Sequence, residues 1–277
     1  MRGYLPEDNA SKGYATLLEW DNFFYEEDIQ SVHDIEKTLI RIGVVQWQMR
    51  AMNDLEDLLD QAEFFISSLA NYKADFALFP EFFNAPLMGL QNDQNSVEAI
   101  RFLASFTEEI KNRFSQMAVT YNINIIAGSM PLIEDGKLYN VAYLLQRDGE
   151  INAQYKIHIT PHEQKDWVID GGDNVQVFET DAGKVGILIC YDSEFPELGR
   201  MLAEQGAQII LCHSGPIPKT AINVCGSVLN LARSKTSVMW RLAAVSATYR
   251  AWTTWTFNML SQRCSHLQTF ISPTTPH

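Results

Sequence analysis

Between Ile40 and Cys212 the sequence alternates short apolar runs with longer segments whose apolar residues recur every three or four positions. That alternation confines the chain to a layered α/β architecture. Ile40–Met49 is expected to be a strand, and Leu55–Tyr72 a helix with Leu55, Leu58, Leu59, Ala62, Phe65, Ile66 and Leu69 on one face. Phe76–Phe79 reads as a short buried strand ending at Pro80-Glu81, Ser96–Tyr121 as one helix with Ser96 and Glu98 in its first turn, and Ile123–Gly128 as a strand. Leu138–Leu145 and Ile151–Tyr155 pair around Arg147-Asp148-Gly149, and Val175–Glu179 pairs with Val185–Cys190 around Asp181-Ala182-Gly183. Phe195–Gln205 is a helix and Gln208–Cys212 a strand. Hairpins interrupting the alternation favour a mixed sheet with outer helices over a doubly wound parallel sheet.

Charge divides the chain differently. All 34 Asp and Glu residues precede His213, whereas the tail beyond carries Lys219, Arg233, Lys235, Arg241, Arg250 and Arg263 without one acid. The acidic body argues against nucleic acid and anionic membrane surfaces as partners. No apolar run approaches the ~18 residues of a membrane span, and no signal-peptide core follows Met1. Cys190, Cys212, Cys225 and Cys264 form no CxxC pair, so neither a disulfide framework nor a structural zinc site is expected. A cytoplasmic protein with reduced thiols is the reading. The chain then divides into a leader or linker over residues 1–38, a body over 39–212, and a tail over 213–277 that follows neither structural period.

Three fragments carry chemistry. In VGILICYDSEFPE (Val185–Glu197) a buried strand delivers Cys190 at its end, before a turn and a helix whose N–H groups stabilise a thiolate; a buried structural cysteine is the alternative. In FALFPEFF (Phe76–Phe83) Glu81 follows a strand inside an aromatic sleeve, where burial would raise its pKa and make it a base near neutrality. An exposed turn glutamate would look similar. In YKIHITPHE (Tyr155–Glu163) Lys156 ends a strand and Glu163 follows past Pro161. A lysine there could hold a developing oxyanion, with the second carboxylate orienting it, or could be a solvated strand-edge residue. His158 and His162 lack a third ligand cluster and read as structural.

Together, in this order and at these separations, the three motifs resemble the nitrilase superfamily of carbon–nitrogen hydrolases over about Ile40–Cys212. The resemblance implies a four-layer α-β-β-α sandwich, a Glu81–Lys156–Cys190 triad, and Glu163 as an additional glutamate. It also implies no metal and no organic cofactor. In such a site Lys156 and the backbone N–H of Tyr191 would bind the oxyanion. The implied activity is hydrolysis of a small amide, less readily a nitrile, through a cysteine thioester. GYLPEDNASKGYATLLEWDN, within the first forty residues, resembles the segment joining an N-acetyltransferase-like domain to the hydrolase in bacterial two-domain chains.

Beyond Cys212 the family's helix with its A-x-x-R-A-x-E-N-x motif is missing. Back-translation of the tail in the frame one nucleotide earlier permits RAIENQCYVAISGSVGNLP from Arg233 onward, so a frameshift near Cys212–His213 is expected. The sandwich would then be incomplete at its C-terminal end, with a family-like homo-oligomer in doubt. Two other functions stay open: a catalytically inactive remnant or binding module, and a thioester-based acyltransferase.

Overall fold

The computed structural model describes residues 13–21, 39–91 and 94–215, so His213–Gly215 of the expected tail are described and the rest of the tail, beyond Gly215, lies outside the described residues. Two sheets form. The larger runs β1 (Gly13–Asp21), β2 (Leu39–Trp47), β3 (Phe76–Leu78), β4 (Asn124–Glu134), β5 (Lys137–Leu145) and β6 (Ile151–Tyr155), with the short β7 (Ile169–Asp170) also pairing β5. The smaller runs β10 (Ile209–His213), β9 (Gly183–Ile189) and β8 (Val177–Thr180). Both are mixed: β2–β3–β4 and β9–β10 are parallel, while β4–β5, β5–β6 and β8–β9 are the antiparallel hairpin pairs.

Period-two alternation sorts the strand residues between three apolar clusters. Ile40, Ile42, Val44, Phe76 and Leu78 of the larger sheet meet Val185, Ile187, Ile189, Ile209 and Leu211 of the smaller one in the central layer. The opposite face of the larger sheet, with Val45, Trp47, Ala77 and Ile125, packs on helices α1 (Leu55–Asn71), α2 (Ser96–Ala104) and α3 (Thr107–Tyr121). The outer face of the smaller sheet, with Leu188, Ile210 and Cys212, packs on Leu198 and Leu202 of α4 (Pro196–Glu204). This is the α-β-β-α order expected.

Local chemistry sets the helix boundaries. Asp54 caps α1 by accepting from Asp57 N–H (3.0 Å), and Asn95 with Glu98 forms a capping box at α2. Two expectations need correction. Ser96–Tyr121 is two helices, because the chain turns at Ser105-Phe106 and Thr107, fully buried, donates its hydroxyl to Pro131 O on β4 (2.6 Å). That bond fixes the start of α3 so that Ile110, Phe114, Met117 and Ala118 face the core. Within the stretch read as leader or linker, Gly13–Asp21 adds an antiparallel strand to β2.

Candidate active site

The three motif residues leave the ends of three different strands. Glu81 follows β3, Lys156 follows β6 and Cys190 follows β9, so the site draws on both sheets. Glu81 is placed by a backbone held on both sides. Phe79 N–H donates to Ile126 O and Phe82 N–H to Ser129 O, across a register shift in β4 at which Gly128 adopts φ +52°. A Cβ on Gly128 would sit 1.9 Å from Pro80 O, so glycine is what lets the Pro80-Glu81 segment lie this close. Phe79 and Phe83 do not sheathe the carboxylate. They pack with Trp47 and Phe114 on the helix side and anchor the segment there.

The Glu81 carboxylate enters a polar network instead. Lys156 Nζ donates to Glu81 Oε1 (2.7 Å) and to both oxygens of Glu163 (2.8 Å each). Asn140 Nδ2, on β5, donates to Glu81 Oε1 (2.9 Å) and to Glu163 Oε1 (3.1 Å), while Gly215 N–H donates to Glu81 Oε2 (3.0 Å). Glu163 opens a π-helical turn, Glu163–Trp167, and Glu163 Oε2 also accepts from the N–H and hydroxyl of Thr160. Cys190, half-buried against the central core, sits at φ +47°, a left-handed conformation that a side chain rarely adopts. Such strain is typical of functional turns. Its thiol faces Glu81, and each group affects the other's titration.

The electrostatics depart from the sequence expectation in two ways. Burial pushes Glu81 up, as expected, but the Lys156 ammonium and the hydrogen bonds from Lys156, Gly215 and Cys190 outweigh it, so its pKa is lowered and the carboxylate is ionised at rest. Cys190 is driven well above an ordinary thiol by burial and by the Glu81 charge, with Lys156 acting in the opposite sense. The resting site therefore holds a neutral thiol beside a carboxylate, not the thiolate that helix N–H groups were expected to stabilise. Lys156, disfavoured by burial, is held above its usual range by Glu81 and Glu163.

Residue by residue, Glu81, Lys156, Glu163 and Cys190 are brought together. Tyr191 is the second residue of a 3-10 turn, Cys190–Glu194, and the leading N–H groups of such a turn have no acceptor inside it. Its ring stands edge-on to Phe195 (5.1 Å) in a cleft of about 390 Å³ that also includes Ile157, His158 and Gln164. The cleft adjoins the triad through the residues that follow Lys156 and Cys190 and is not lined by the triad itself.

The model of the family described as carbon-nitrogen hydrolase matches residues 41–270. The chain belongs to the carbon–nitrogen hydrolase family. This carbon–nitrogen hydrolase is 44% identical over 207 residues to the probable hydrolase YhcX of Bacillus subtilis (strain 168), covering 75% of this chain and 40% of that protein. It is 30% identical over 188 residues to the omega-amidase NIT2 of Homo sapiens, covering 63% of each chain. The chain thus spans less than two thirds of the length of either curated relative. Its fold is that of the carbon-nitrogen hydrolase from Helicobacter pylori G27 (TM-score 0.64, 18% identity, 76% and 74% of the two chains). An amidase from Nesterenkonia sp. AN1 shares it too (TM-score 0.61, 22% identity, 74% and 78%).

The sequence reading missed Asn140 and Asp192. Asn140 shares strand parity with Ala142 and Leu144 of the central core, so a polar side chain at an inward position of an apolar strand was the available signal. Among the described residues no group of three or more His, Cys, Asp or Glu side chains is arranged to hold a metal, and no helix is long and apolar enough to cross a membrane. His158 pairs with Asp192 and His162 with Asp166.

Proposed function

We propose that the protein hydrolyses a small, non-peptide amide through a thioester on Cys190, with Glu81 as general base and Lys156 as the cation facing the oxyanion. One observation carries this reading: a single buried ammonium bridges two carboxylates, one of which faces a strained cysteine. The omega-amidase and amidase names of its relatives point to the same substrate class.

The chemistry follows from the resting charges. As Cys190 Sγ bonds to the carbonyl carbon, its proton passes to Glu81, and the carbonyl π electrons move to oxygen. Lys156 Nζ and the Tyr191 N–H stabilise that oxygen. Collapse breaks the carbon–nitrogen bond, and the leaving nitrogen takes the proton from Glu81, departing as ammonia or an amine. Water then adds to the thioester carbon while Glu81 takes its proton. The second collapse expels Cys190, which recovers the proton, and a carboxylic acid leaves. Glu163 and Asn140 hold Lys156 and Glu81 in place throughout.

A second reading, a catalytically inactive form, is favoured by one observation at the edge of the site. β10 ends on His213, followed by Ser214; both are buried, and the ring nitrogens and hydroxyl have no partner among the described residues. Burial pushes His213 down to about 3, so the ring is neutral beside the network. Ammonia release from short-chain primary amides and from mono-amides of short dicarboxylates, with Cys190→Ala as control, separates the two. Release that Cys190→Ala abolishes supports the hydrolase. No release from any amide by folded protein supports the inactive form.

A further inference from the structure

Cys190 and Lys156 come from different sheets, so no shared strand ladder fixes their separation. Asp192, two residues beyond Cys190, crosses the gap. Its Oδ2 accepts from Ile157 N–H (3.2 Å) and its Oδ1 from His158 N–H (2.7 Å), with His158 Nδ1 a further 3.1 Å from Oδ1. Ile157 and His158 directly follow Lys156. The His158 ring in turn lies flat on Phe195, centroids 3.5 Å apart and planes 6° from parallel, which closes the contact from the far side of the Cys190 turn.

The Lys156 backbone is held independently within its own sheet: its N–H donates to Asn140 O (2.9 Å), and its carbonyl accepts from Gly172 N–H (2.7 Å). Those bonds fix the lysine against β5 and the segment that follows β7 but not against the nucleophile. Asp192 supplies that missing tie. We propose that Asp192 is a positioning residue, a buried carboxylate that fastens the Lys156 segment to the Cys190 turn and so sets the distance between nucleophile and ammonium. The proposal rests on the hydrolase reading and adds a residue to it that neither donates nor accepts a proton in the reaction.

Burial works against the Asp192 charge. Asp192 is 2% exposed, and its burial raises its pKa even though His158 and Ile157 hydrogen bonds pull the other way. A carboxylate raised in the folded state opposes folding at every pH above that raised value and does not below its ordinary one. An apolar residue of similar shape is often the more stable choice at such a position.

The test uses the whole chain, with Asp192→Ala and Asp192→Asn, and two readouts. The first is turnover of the best amide found for the wild type. The second is the pH profile of Cys190 alkylation by iodoacetamide, followed by peptide mass spectrometry, which needs no substrate. Asp192→Ala should lower kcat by about 100-fold, the scale of an ångström of misplacement, with KM nearly unchanged. Its alkylation profile should move down toward an ordinary thiol as the loosened turn relieves the burial of Cys190 and moves it away from the Glu81 charge, the two largest causes of its raised pKa. Asp192→Asn should fall between, because its oxygen still accepts from His158 N–H while its amide cannot accept from Ile157 N–H. If the alanine variant does not fold, the asparagine variant carries the test. Wild-type turnover and an unshifted profile in the folded variants would overturn the proposal, as would a rise in KM alone. A shifted profile in a chain that hydrolyses no amide supports the clamp and removes the hydrolase reading.

Discussion

Lys156 Nζ donates to Glu81 Oε1 across 2.7 Å, with the lysine 1% and the glutamate 5% exposed. Glu163 accepts from the same ammonium through both its oxygens, so two carboxyl groups share one cation. Removing the cation should therefore do more than remove a catalytic group. Lys156→Met leaves two buried carboxylates unpaired, and we expect a loss of about 3–5 kcal/mol in urea unfolding together with loss of turnover. A stability change within experimental error would show that the pair is not buried as described.

The pH dependence follows from the same pair. The folded pKa of Glu81 lies below its ordinary 4.5, so the stability it contributes is complete above 4.5 and is lost as pH falls through the lowered folded value. The acid limb of kcat/KM should likewise lie below 4.5, and the alkaline limb, set by Cys190, above 9.0. A rate profile with an acid limb near neutrality would contradict an ionised resting Glu81.

Asn140 donates to both carboxylates from the central face of β5. Asn140→Ala deprives Glu81 and Glu163 of that donor, and we expect about 1–3 kcal/mol of destabilisation and a reduced kcat. Asn140→Asp should be worse, since it adds a third carboxylate to one ammonium. Thermal melts that rank the aspartate variant above the alanine variant would speak against the network.

Gly128 gives a test of backbone placement. In Gly128→Ala the new Cβ meets Pro80 O at 1.9 Å with φ +52°, and backbone cannot yield as a side chain does. Activity should fall sharply because Pro80 carries Glu81. Gly89→Ala, where nothing lies within 4 Å, should change stability by no more than about 0.5 kcal/mol. Equal effects at the two positions in a parallel assay would remove the argument.

Much of this site was legible because its residues sit where strand periodicity stops. Pro80-Glu81 and Ile189-Cys190 each end an apolar run, Tyr155-Lys156 ends a short alternating strand, and such an end is visible in sequence. What was not legible depends on partners remote in the chain. The sign of the Glu81 shift is decided by Lys156, 75 residues away, and Asp192 gains its role only through Ile157 and His158. The break between α2 and α3 is set by Thr107 bonding to Pro131 across 24 residues, whereas the apolar period runs through the break unchanged. The β1 strand escaped because the polar and aromatic stretch that contains it shows no convincing period in sequence, and its pairing with β2 is visible only in the structure.

The central claim is that Cys190 attacks the amide carbon. Rapid acid quench during turnover of a hydrolysed amide, followed by peptide mass spectrometry, measures this directly. The account predicts an acyl adduct, of the mass of the substrate minus its amine, on the peptide containing Cys190 and its absence in Cys190→Ala. An adduct on Cys212 in place of Cys190, or hydrolysis that persists in Cys190→Ala, would contradict it.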